Sequence, residues 1–386
     1  MKKIILSIFI LMLCGCWNYK ELNDYSIVTG MAIDYTDNKY MVSFLIANSK
    51  NNSDANSNQY ESILYSSVGE TIYEAIKNIW LISPKQLYIG HLESVVISEE
   101  VAKLGLYNSL EFLLEDSRSN KNFYIVLAKD CMAKDVLSIT TPITDISSES
   151  VSDNVNSSYK LHGSILSKTF NDIIYELIND GIDTAISSYV IIGDVKEGSS
   201  LENLESTSPN TYIKLDDLGI FNGDKLVAWA NKDISRGINI INNDVVQLYI
   251  DIDCDGGHII VNTTDIKTKN DISKDRIIIN TKGNASISEI TCDVDLEDDK
   301  IIKEMEKNIN KKVENLIRDS FNFSRNYNSD VFGFGLSFYR NNPNEYKDID
   351  FNEIYFNIEP EINVDINIRS SGNLNQSIER IANNED

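Results

Sequence analysis

Histidine and cysteine are scarce in this sequence, with three and five residues respectively in a chain of 386. The histidines His91, His162 and His258 lie far apart, and none belongs to a metal-ligand spacing such as HExxH. The sequence also contains no GxSxG element, no Walker motif and no glycine-rich dinucleotide loop. We therefore predict that the protein is not an enzyme and that it has no catalytic residue, cofactor or metal site.

Cysteines are also few after the first residues of the chain. Beyond Cys14 and Cys16, the sequence contains only Cys131, Cys254 and Cys292. An odd number of cysteines at wide and irregular spacing is typical of neither a disulfide framework nor a zinc motif. We predict that these three residues are buried thiols without a disulfide partner.

Basic residues are outnumbered by acidic ones. The 35 Lys and Arg residues stand against 59 Asp and Glu residues, which gives a formal net charge of −24. Phosphate contacts require a basic surface, so this balance argues strongly against nucleic acid as a partner. An acidic surface is also repelled by anionic lipid headgroups, so we expect any membrane attachment to depend on a covalent lipid.

The N-terminus has the features of an export signal. Met1-Lys2-Lys3 is positively charged, and the apolar run 4–13 is shorter than the roughly 20 residues that a membrane-spanning helix needs. The next residues, Leu13-Cys14-Gly15-Cys16, resemble the bacterial lipobox, whose cysteine carries a diacylglyceryl thioether. We predict a signal peptide at 1–15 and lipid on Cys16; the alternative is an ordinary signal peptide that happens to contain cysteine.

Two acidic segments are candidate cation sites. Asp251-x-Asp253-x-Asp255-Gly256 resembles the start of an EF-hand loop, but its twelfth position is Asn262 where a bidentate Glu is needed. The flanking residues also have strand patterns, so a β-turn between two strands explains these aspartates equally well. The run 293–299 is more typical of a solvent-exposed segment that leads into a helix than of a cation site. We predict no metal site in either segment.

Strand and helix patterns predict an α+β fold with three domains after the signal peptide. The N-terminal α+β domain spans 16–140 and the middle α+β domain spans 141–243. Within them, periodicity and turn signals predict strands and helices. The predicted strands lie within 26–48, 87–97, 123–128, 188–192 and 218–229, and the predicted helices span 72–80, 98–114 and 170–178. The polar stretch 143–159 is interpreted as a connection.

The C-terminal α+β domain, residues 244–386, is predicted to contain an antiparallel or mixed sheet with a long helix on one face. The helix carries an apolar stripe over 301–317. The predicted strands lie near 245–253, 257–265, 276–290, 332–340 and 354–368. Gly333-Phe334-Gly335 is interpreted as a strand bulge rather than a phosphate-binding loop.

Several separate segments carry a family resemblance. They are 16–22, 27–34, 69–76, 91–114, 126–129, 135–137, 218–227, 235–237 and 330–335. Together they resemble the Ger(x)C lipoproteins, the C subunits of nutrient germinant receptors in spore-forming bacteria. Asn18 stands where the family usually has Asp, and Glu115-Asp116-Ser117-Arg118 retains only part of the family's Arg-acid-Arg pattern.

The resemblance implies a non-enzymatic protein of three α+β domains, anchored by lipid to the outer face of the spore inner membrane. It implies two integral-membrane receptor subunits as partners and a requirement in nutrient-triggered germination. We hypothesise that the chain scaffolds those subunits and does not bind the nutrient directly. The main alternative is a solute-binding lipoprotein of a transporter, for which the last third lacks a regular βαβ rhythm. A surface hydrolase is a third possibility, with no residue to nominate.

Overall fold

The residues that the structure describes form two β-sheets, of nine and four strands, with helices packed against both. This is the α+β fold class predicted from the sequence. The computed structural model describes residues 24–48, 62–115, 120–144, 146–254, 256–292, 294–296, 298–347, 349 and 351–370.

The nine-stranded sheet is mixed. Its central strands β1, β5, β6 and β7 run parallel, and antiparallel strands extend it on both sides in the order β3-β2-β1-β5-β6-β7-β8-β9, with β4 beside β1. The strands are β1 (Tyr25–Thr36), β2 (Lys39–Ala47), β3 (Ser62–Gly69), β4 (Gln86–Tyr88), β5 (Ser94–Ser98), β6 (Tyr124–Ala128), β7 (Ala185–Ile192), β8 (Tyr212–Asn222) and β9 (Lys225–Ala230).

Helices cover both faces of this sheet. The helices on one face are α1 (Ile72–Trp80), α2 (Glu99–Leu104), α3 (Tyr107–Glu115) and α6 (Phe170–Ile178), and those on the other are α4 (Ala133–Ser138) and α5 (Ser147–His162). Two short helices, α7 (Val195–Gly198) and α8 (Leu201–Glu205), precede β8. Because both faces are covered, all five residues of β5 are buried, and its sequence is apolar except at its two ends.

Local signals explain most of the helix boundaries. The Thr71 hydroxyl accepts the Glu74 N–H at the start of α1, and Thr169 and Asp172 form a reciprocal capping box at the start of α6. The single helix predicted over 98–114 is two helices in the structure. The backbone at Gly105 has a φ of +130°, which ends α2 before α3 begins.

The nine-stranded sheet crosses residue 140, where the sequence suggested a boundary between domains. Leu127 and Ala128 of β6 pair with Ser188 and Tyr189 of β7, so strands from both sides share this sheet. The interpretation of 143–159 as a connection was wrong, because α5 forms there. Its first turns bury Val151 and Val155, and this four-residue spacing was masked by the surrounding serines.

The four-stranded sheet is formed by strands of the C-terminal part of the chain. Its strands are β10 (Leu248–Cys254), β11 (Gly257–Ile272), β12 (Ile277–Ile290) and β13 (Glu361–Ser370), of which only the β12–β13 pair is parallel. The long helix α10 (Asp299–Asn326) packs on one face through residues such as Ile309, Val313 and Ile317. The predicted sheet with a long helix on one face is therefore confirmed. Helix α9 (Lys232–Ile241) leads into this region from β9.

The segment between α10 and β13 corrects a further prediction. The residues predicted as strands at 332–340 and at the start of 354–368 lie in the helices α11 (Phe334–Asn341) and α13 (Phe351–Asn357). A short helix, α12 (Pro343–Tyr346), lies between them. Phe334 and Phe338 are four residues apart and both buried, which is helical spacing in a run too short to be distinguished from a strand by pattern alone. Gly333 is not in a strand bulge but precedes α11 in the left-handed region.

Two of the three cysteines predicted to be unpaired form a disulfide. Cys254 ends β10 and Cys292 follows β12, and the pairing of both strands with β11 brings their Cα atoms to 6.3 Å. The prediction was wrong because this register is a long-range property that the spacing of 38 residues does not reveal. Cys131 is half-buried and remains a free thiol.

Across the described ranges, no helix combines the length and the apolar character that crossing a membrane requires.

Candidate functional site

The predicted lipid attachment site, Cys16, lies outside the described residues. The first residue that the structure describes is Asp24, immediately before β1. The eight residues after Cys16 that lead to Asp24 span at most about 30 Å when fully extended. A group carried by Cys16 is therefore confined to that distance from the amino end of β1.

The aspartates considered for calcium lie in the β10–β11 hairpin. Asp251 and Asp253 are exposed on β10, and Asp253 pairs with His258 of β11, so the interpretation as a turn between two strands is confirmed. Asp255 itself lies outside the described residues. Asp298 of the second acidic segment accepts the Lys300 N–H at 2.8 Å and caps α10. Among the residues that the structure describes, no three His, Cys, Asp or Glu side chains form a potential metal site.

A charged cluster lies at the carboxyl edge of the parallel strands. Lys129 follows β6, and its Nζ lies 2.8 Å from Asp216 Oδ2 and 2.7 Å from Asp217 Oδ2, both on β8. The same Nζ lies 5.6 Å from the centre of the Trp229 ring. Trp229 Nε1 donates to Glu99 Oε1 at 3.3 Å. These contacts connect β6, β8, β9 and the start of α2.

The pKa values in this cluster favour the charged forms. Burial alone would lower the pKa of Lys129, but Asp216 and Asp217 outweigh it and raise that pKa above the usual range. Burial would raise the pKa of Glu99, yet hydrogen bonds from Lys103 and Trp229 lower it. An ammonium held charged between carboxylates is a poor proton donor, so the cluster is suited to joining strands rather than to acid–base chemistry.

Asp34, near the end of β1, performs a structural task at the same edge. Its side chain is buried and accepts the backbone N–H groups of Ala133 at 2.7 Å and Lys134 at 3.0 Å. It thereby caps α4 from a distant part of the chain, because Met132 at the N-cap position provides no side-chain cap. Burial raises the pKa of Asp34 to about 6, although the two hydrogen bonds oppose the shift.

A joint between the two sheets is built around Asp183 and Asp330. Asp330 Oδ1 and Oδ2 accept the N–H groups of Phe334 at 3.1 Å and Gly335 at 2.8 Å, at the start of α11. Asp183 Oδ2 accepts the Asp330 N–H at 2.7 Å, and Asp183 Oδ1 accepts the Gly223 N–H at 2.7 Å. The two aspartates thus connect three parts of the fold, which are the β8–β9 turn, the segment before β7, and α11.

Close backbone contact and burial characterise this joint. A Cβ on Gly335 would lie 2.8 Å from Gly181 Cα, so only glycine permits the approach that allows the Leu336 N–H to reach the Gly181 carbonyl at 2.7 Å. Burial raises the pKa of Asp330 to about 7 and raises that of Asp183 above its ordinary value. The joint is therefore tight, desolvated and sensitive to the protonation of Asp330.

A groove of about 670 Å³ lies between α5 and the segment that enters β8. Ile143, Leu161 and Tyr212 on its lining are exposed apolar side chains. A second hollow of about 480 Å³ adjoins it and shares Asn154, Tyr212 and Ile213. These volumes are within the range of small-molecule sites, roughly 300–1,000 Å³. The groove has room for a small ligand or for apolar side chains of another protein.

Two protein-family models match consecutive parts of the chain. The N-terminal domain of spore germination proteins matches residues 18–192, and the spore germination B3/GerAC-like C-terminal domain matches residues 216–372. The chain belongs to the GerAC family of spore germination proteins. The predicted membership of the Ger(x)C family is thus confirmed. The first family model ends with β7 and the second begins within β8, so both reach into the nine-stranded sheet.

Individual relatives support this assignment of the GerAC-family chain. Spore germination protein KC of Bacillus subtilis is 27% identical over 358 residues, which cover 89% of this chain and 88% of that protein. Spore germination protein B3 of the same organism is 26% identical over 127 residues, covering 32% and 34% of the two chains. The crystal structure of the GerBC protein aligns with a TM-score of 0.54 and 16% identity, over 91% of this chain and all of that chain. The last comparison shows a shared fold.

The segments that resemble the GerAC family contain many of the residues in the contacts described above. Asp34, Lys129 and Asp330 all lie in such segments, and each contacts a distant part of the chain, Asp330 through its backbone N–H. Asp183 and Asp216 lie in none of them and were not identified from sequence. No local signal could have found these two, because their partners are separated from them by 147 and 87 residues.

Proposed function

We propose that this GerAC-family chain is a lipid-anchored, non-enzymatic subunit of a spore nutrient germinant receptor. Its position is the outer face of the spore inner membrane, where it holds two integral-membrane subunits together. The observation that carries the proposal is the family match over 18–192 and 216–372, directly preceded by the lipobox-like Leu13-Cys14-Gly15-Cys16. In this view the protein is required for nutrient-triggered germination without binding the nutrient itself.

Lipid at Cys16 supplies the membrane affinity that the protein surface lacks. The net charge of −24 opposes adsorption to an anionic bilayer. Each buried acyl methylene contributes about 0.8 kcal/mol, so two or three acyl chains hold the protein stably. The disulfide between Cys254 and Cys292 supports export, because disulfides persist mainly in oxidising compartments outside the cytosol.

The polar residues in the GerAC-like segments support a structural rather than a catalytic role. Asp34 and Asp330 cap helices, and Lys129 is held between two carboxylates. Each of these groups is engaged by the fold in a way that leaves it poorly placed to attack or protonate a substrate. A tethered body also needs only weak contacts with its partners, because confinement to a membrane raises the effective concentration.

Spores carrying defined changes at the N-terminus test the proposal. The comparison includes wild type, a deletion of the gene, Cys16→Ala, and Cys14→Ala as the matched control. Cys14→Ala removes a neighbouring cysteine but retains a small residue between Leu13 and Gly15, so lipidation is preserved. Membrane fractionation and ion release after a broad nutrient mixture are measured in a strain without other nutrient receptors.

We expect the deletion to abolish nutrient-triggered ion release and Cys16→Ala to leave a folded protein that no longer sediments with membranes. Cys14→Ala should match wild type in both assays. Normal germination of the deletion strain would refute the receptor role. Membrane retention of Cys16→Ala would refute lipid attachment at that residue.

A further inference from the structure

Three large apolar side chains are exposed in consecutive positions where α1 ends. Trp80, Leu81 and Ile82 are 50%, 83% and 52% exposed. Single exposed apolar residues are normal on a protein surface, whereas a contiguous group that includes tryptophan is typical of a contact site. We call these three residues the amino-end patch.

The amino-end patch lies near the point where the chain from Cys16 enters the fold. Ile82 precedes Gln86 by four residues, and Gln86 pairs with Tyr25 at the start of β1. Four residues span at most about 14 Å. The patch is therefore close to the end of the sheet to which the predicted lipid is tethered.

Aromatic rings with polar ends accompany the patch. The Tyr88 ring lies 5.6 Å from that of Tyr25 and 5.8 Å from that of His91, measured between ring centres. Tyrosine and tryptophan are enriched at the level of lipid headgroups, where the ring is in an apolar environment and its polar atom remains hydrated. This end of the nine-stranded sheet thus presents the side chains that an interface between water and lipid favours.

The sequence segment that contains the patch also differs in charge from the chain as a whole. Residues 75–92 contain no aspartate or glutamate but include Lys77 and Lys85, both exposed. An acid-free segment with two lysines is complementary to anionic headgroups, in a protein whose net charge is −24. Long lysine side chains can also extend from a partly immersed surface back to the headgroups.

We propose that the amino-end patch inserts into the headgroup region of the lipid bilayer and fixes the orientation of the body above the membrane. The inference rests on the proposed lipid at Cys16, which supplies most of the affinity. The patch adds orientation, because a tether of up to about 30 Å would by itself allow the body to rotate freely. With the patch immersed, the carboxyl edge of the parallel strands points away from the membrane.

Depth-dependent quenching of tryptophan fluorescence tests this inference. The full-length lipidated chain with Trp17→Phe is reconstituted into vesicles of phosphatidylethanolamine and phosphatidylglycerol with brominated acyl chains. The same chain with the further change Trp80→Phe gives the emission without Trp80, so the difference between the two chains is the Trp80 signal. Trp229, on the edge strand β9 of the nine-stranded sheet, serves as an internal reference. We expect brominated lipid to quench most of the Trp80 emission and to leave Trp229 unquenched.

Two further variants separate immersion from a general loss of structure. Leu81→Asp places a charge in the patch and should abolish Trp80 quenching while the lipid keeps the protein on the vesicles. Leu104→Asp is the matched control, because Leu104 is an exposed leucine at 48%, outside the patch. It should leave the quenching unchanged, and unchanged thermal melting of both variants establishes that the fold is intact.

The outcomes distinguish this inference from the proposed function. Vesicle-bound protein whose Trp80 is not quenched overturns membrane insertion and leaves the lipid anchor standing. The same absence of quenching, combined with crosslinking from position 80 to another protein in spores, assigns the patch to a protein partner and also overturns the inference. Retention of Cys16→Ala on membranes instead contradicts lipid attachment at Cys16, whether or not Trp80 is quenched.

Discussion

The two sheets are buried in different ways. In β5 of the nine-stranded sheet every residue is buried, because helices cover both faces. In β10 of the four-stranded sheet buried and exposed residues alternate, and Tyr249, Asp251 and Asp253 are on the open side. The first region, residues 24–244, therefore has apolar cores on two faces of its sheet. The second region, residues 245–370, has its apolar core on one face.

This difference indicates where each region obtains its stability. Burial of apolar area is the main favourable contribution to folding, and the first region has more surfaces on which to achieve it. The second region adds a disulfide and the joint at Asp183 and Asp330. Tryptophan fluorescence can separate the two regions, because Trp17, Trp80 and Trp229 all precede residue 245. Far-ultraviolet circular dichroism reports both.

The largest effect is expected from removing the disulfide. Cys254→Ser frees a loop of 38 residues in the unfolded chain, which corresponds to about 4 kcal/mol in the chain-entropy description. In urea unfolding, the circular dichroism transition of the second region should move to lower urea, ahead of the tryptophan transition. Cys131→Ser is the matched control and should change neither midpoint appreciably. Equal shifts of both signals in Cys254→Ser would show that the regions unfold as one unit.

The next largest effect is expected at the joint. Asp330→Ala leaves the N–H groups of Phe334 and Gly335 without their acceptor and should lower stability by about 3 kcal/mol at pH 5. Because these two N–H groups begin α11, whose Leu336 N–H reaches the Gly181 carbonyl of the first region, the change should separate the two unfolding signals. Asp319→Ala, at an exposed position on α10, is the control and should cost less than about 0.5 kcal/mol. A single coincident transition in Asp330→Ala would contradict the coupling role of the joint.

The protonation of Asp330 should make the stability of the protein depend on pH. Burial raises its pKa to about 7 in the folded protein, whereas an exposed aspartate has a pKa near 3.9. The folded state therefore binds more protons between these values, and stability falls as pH rises, by about 2 kcal/mol from pH 5 to pH 7. Urea midpoints measured across this range should decline more steeply for wild type than for Asp330→Asn. Parallel slopes would exclude Asp330 as the source.

How far the sequence predicts this architecture depends on the range of the interactions. Helix α6 was predicted correctly from its apolar spacing, which is a local signal. Its capping box at Thr169 and Asp172 is also local. Strands within 218–229, where the β8–β9 hairpin forms, were likewise predicted from local periodicity and turn signals. Helix α5 was missed because only Val151 and Val155 are apolar in its first turns, and the α11 segment was missed because its buried phenylalanines fit either period.

The contacts of the candidate site required the structure. Lys129 and Asp330 lie in segments with recognisable family patterns, but the distant aspartates that they contact, Asp216, Asp217 and Asp183, do not. The disulfide partner of Cys254 was likewise hidden, because its position depends on the register of two strand pairings. The lipid site at Cys16, in contrast, is inferred from a linear motif and stays a prediction, because Cys16 lies outside the described residues.

A smaller effect is expected from the charged cluster of the first region. Lys129→Met retains the aliphatic contact with Trp229 but leaves Asp216 and Asp217 adjacent and without their cation. We expect a loss of about 1–2 kcal/mol, less than for a fully buried pair because all three side chains retain some exposure. The tryptophan transition should report the loss. Lys225→Met, at an exposed position of β9, is the control; an equal loss there would refute a specific role for Lys129.

The smallest effects are expected at two hairpin turns, one in each region. Gly223 and Gly256 have φ values of +58° and +78°, and a Cβ on either would meet no atom within 4 Å. Replacement by alanine therefore costs only the left-handed backbone conformation, about 1 kcal/mol at each position. Urea unfolding of both variants, followed by tryptophan fluorescence and circular dichroism, measures these costs region by region.

The two turns differ in one contact. The Gly223 N–H donates to Asp183 at 2.7 Å, so this turn belongs to the joint, whereas Gly256 lies in the β10–β11 hairpin of the second region. Gly256→Ala should shift the circular dichroism transition alone. Gly223→Ala should shift the tryptophan transition and, through Asp183, the second region as well. If Gly223→Ala moved the tryptophan signal only, the stability of the β8–β9 hairpin would not affect the joint. The coupling of the two regions would then depend on Asp330 and its neighbours alone.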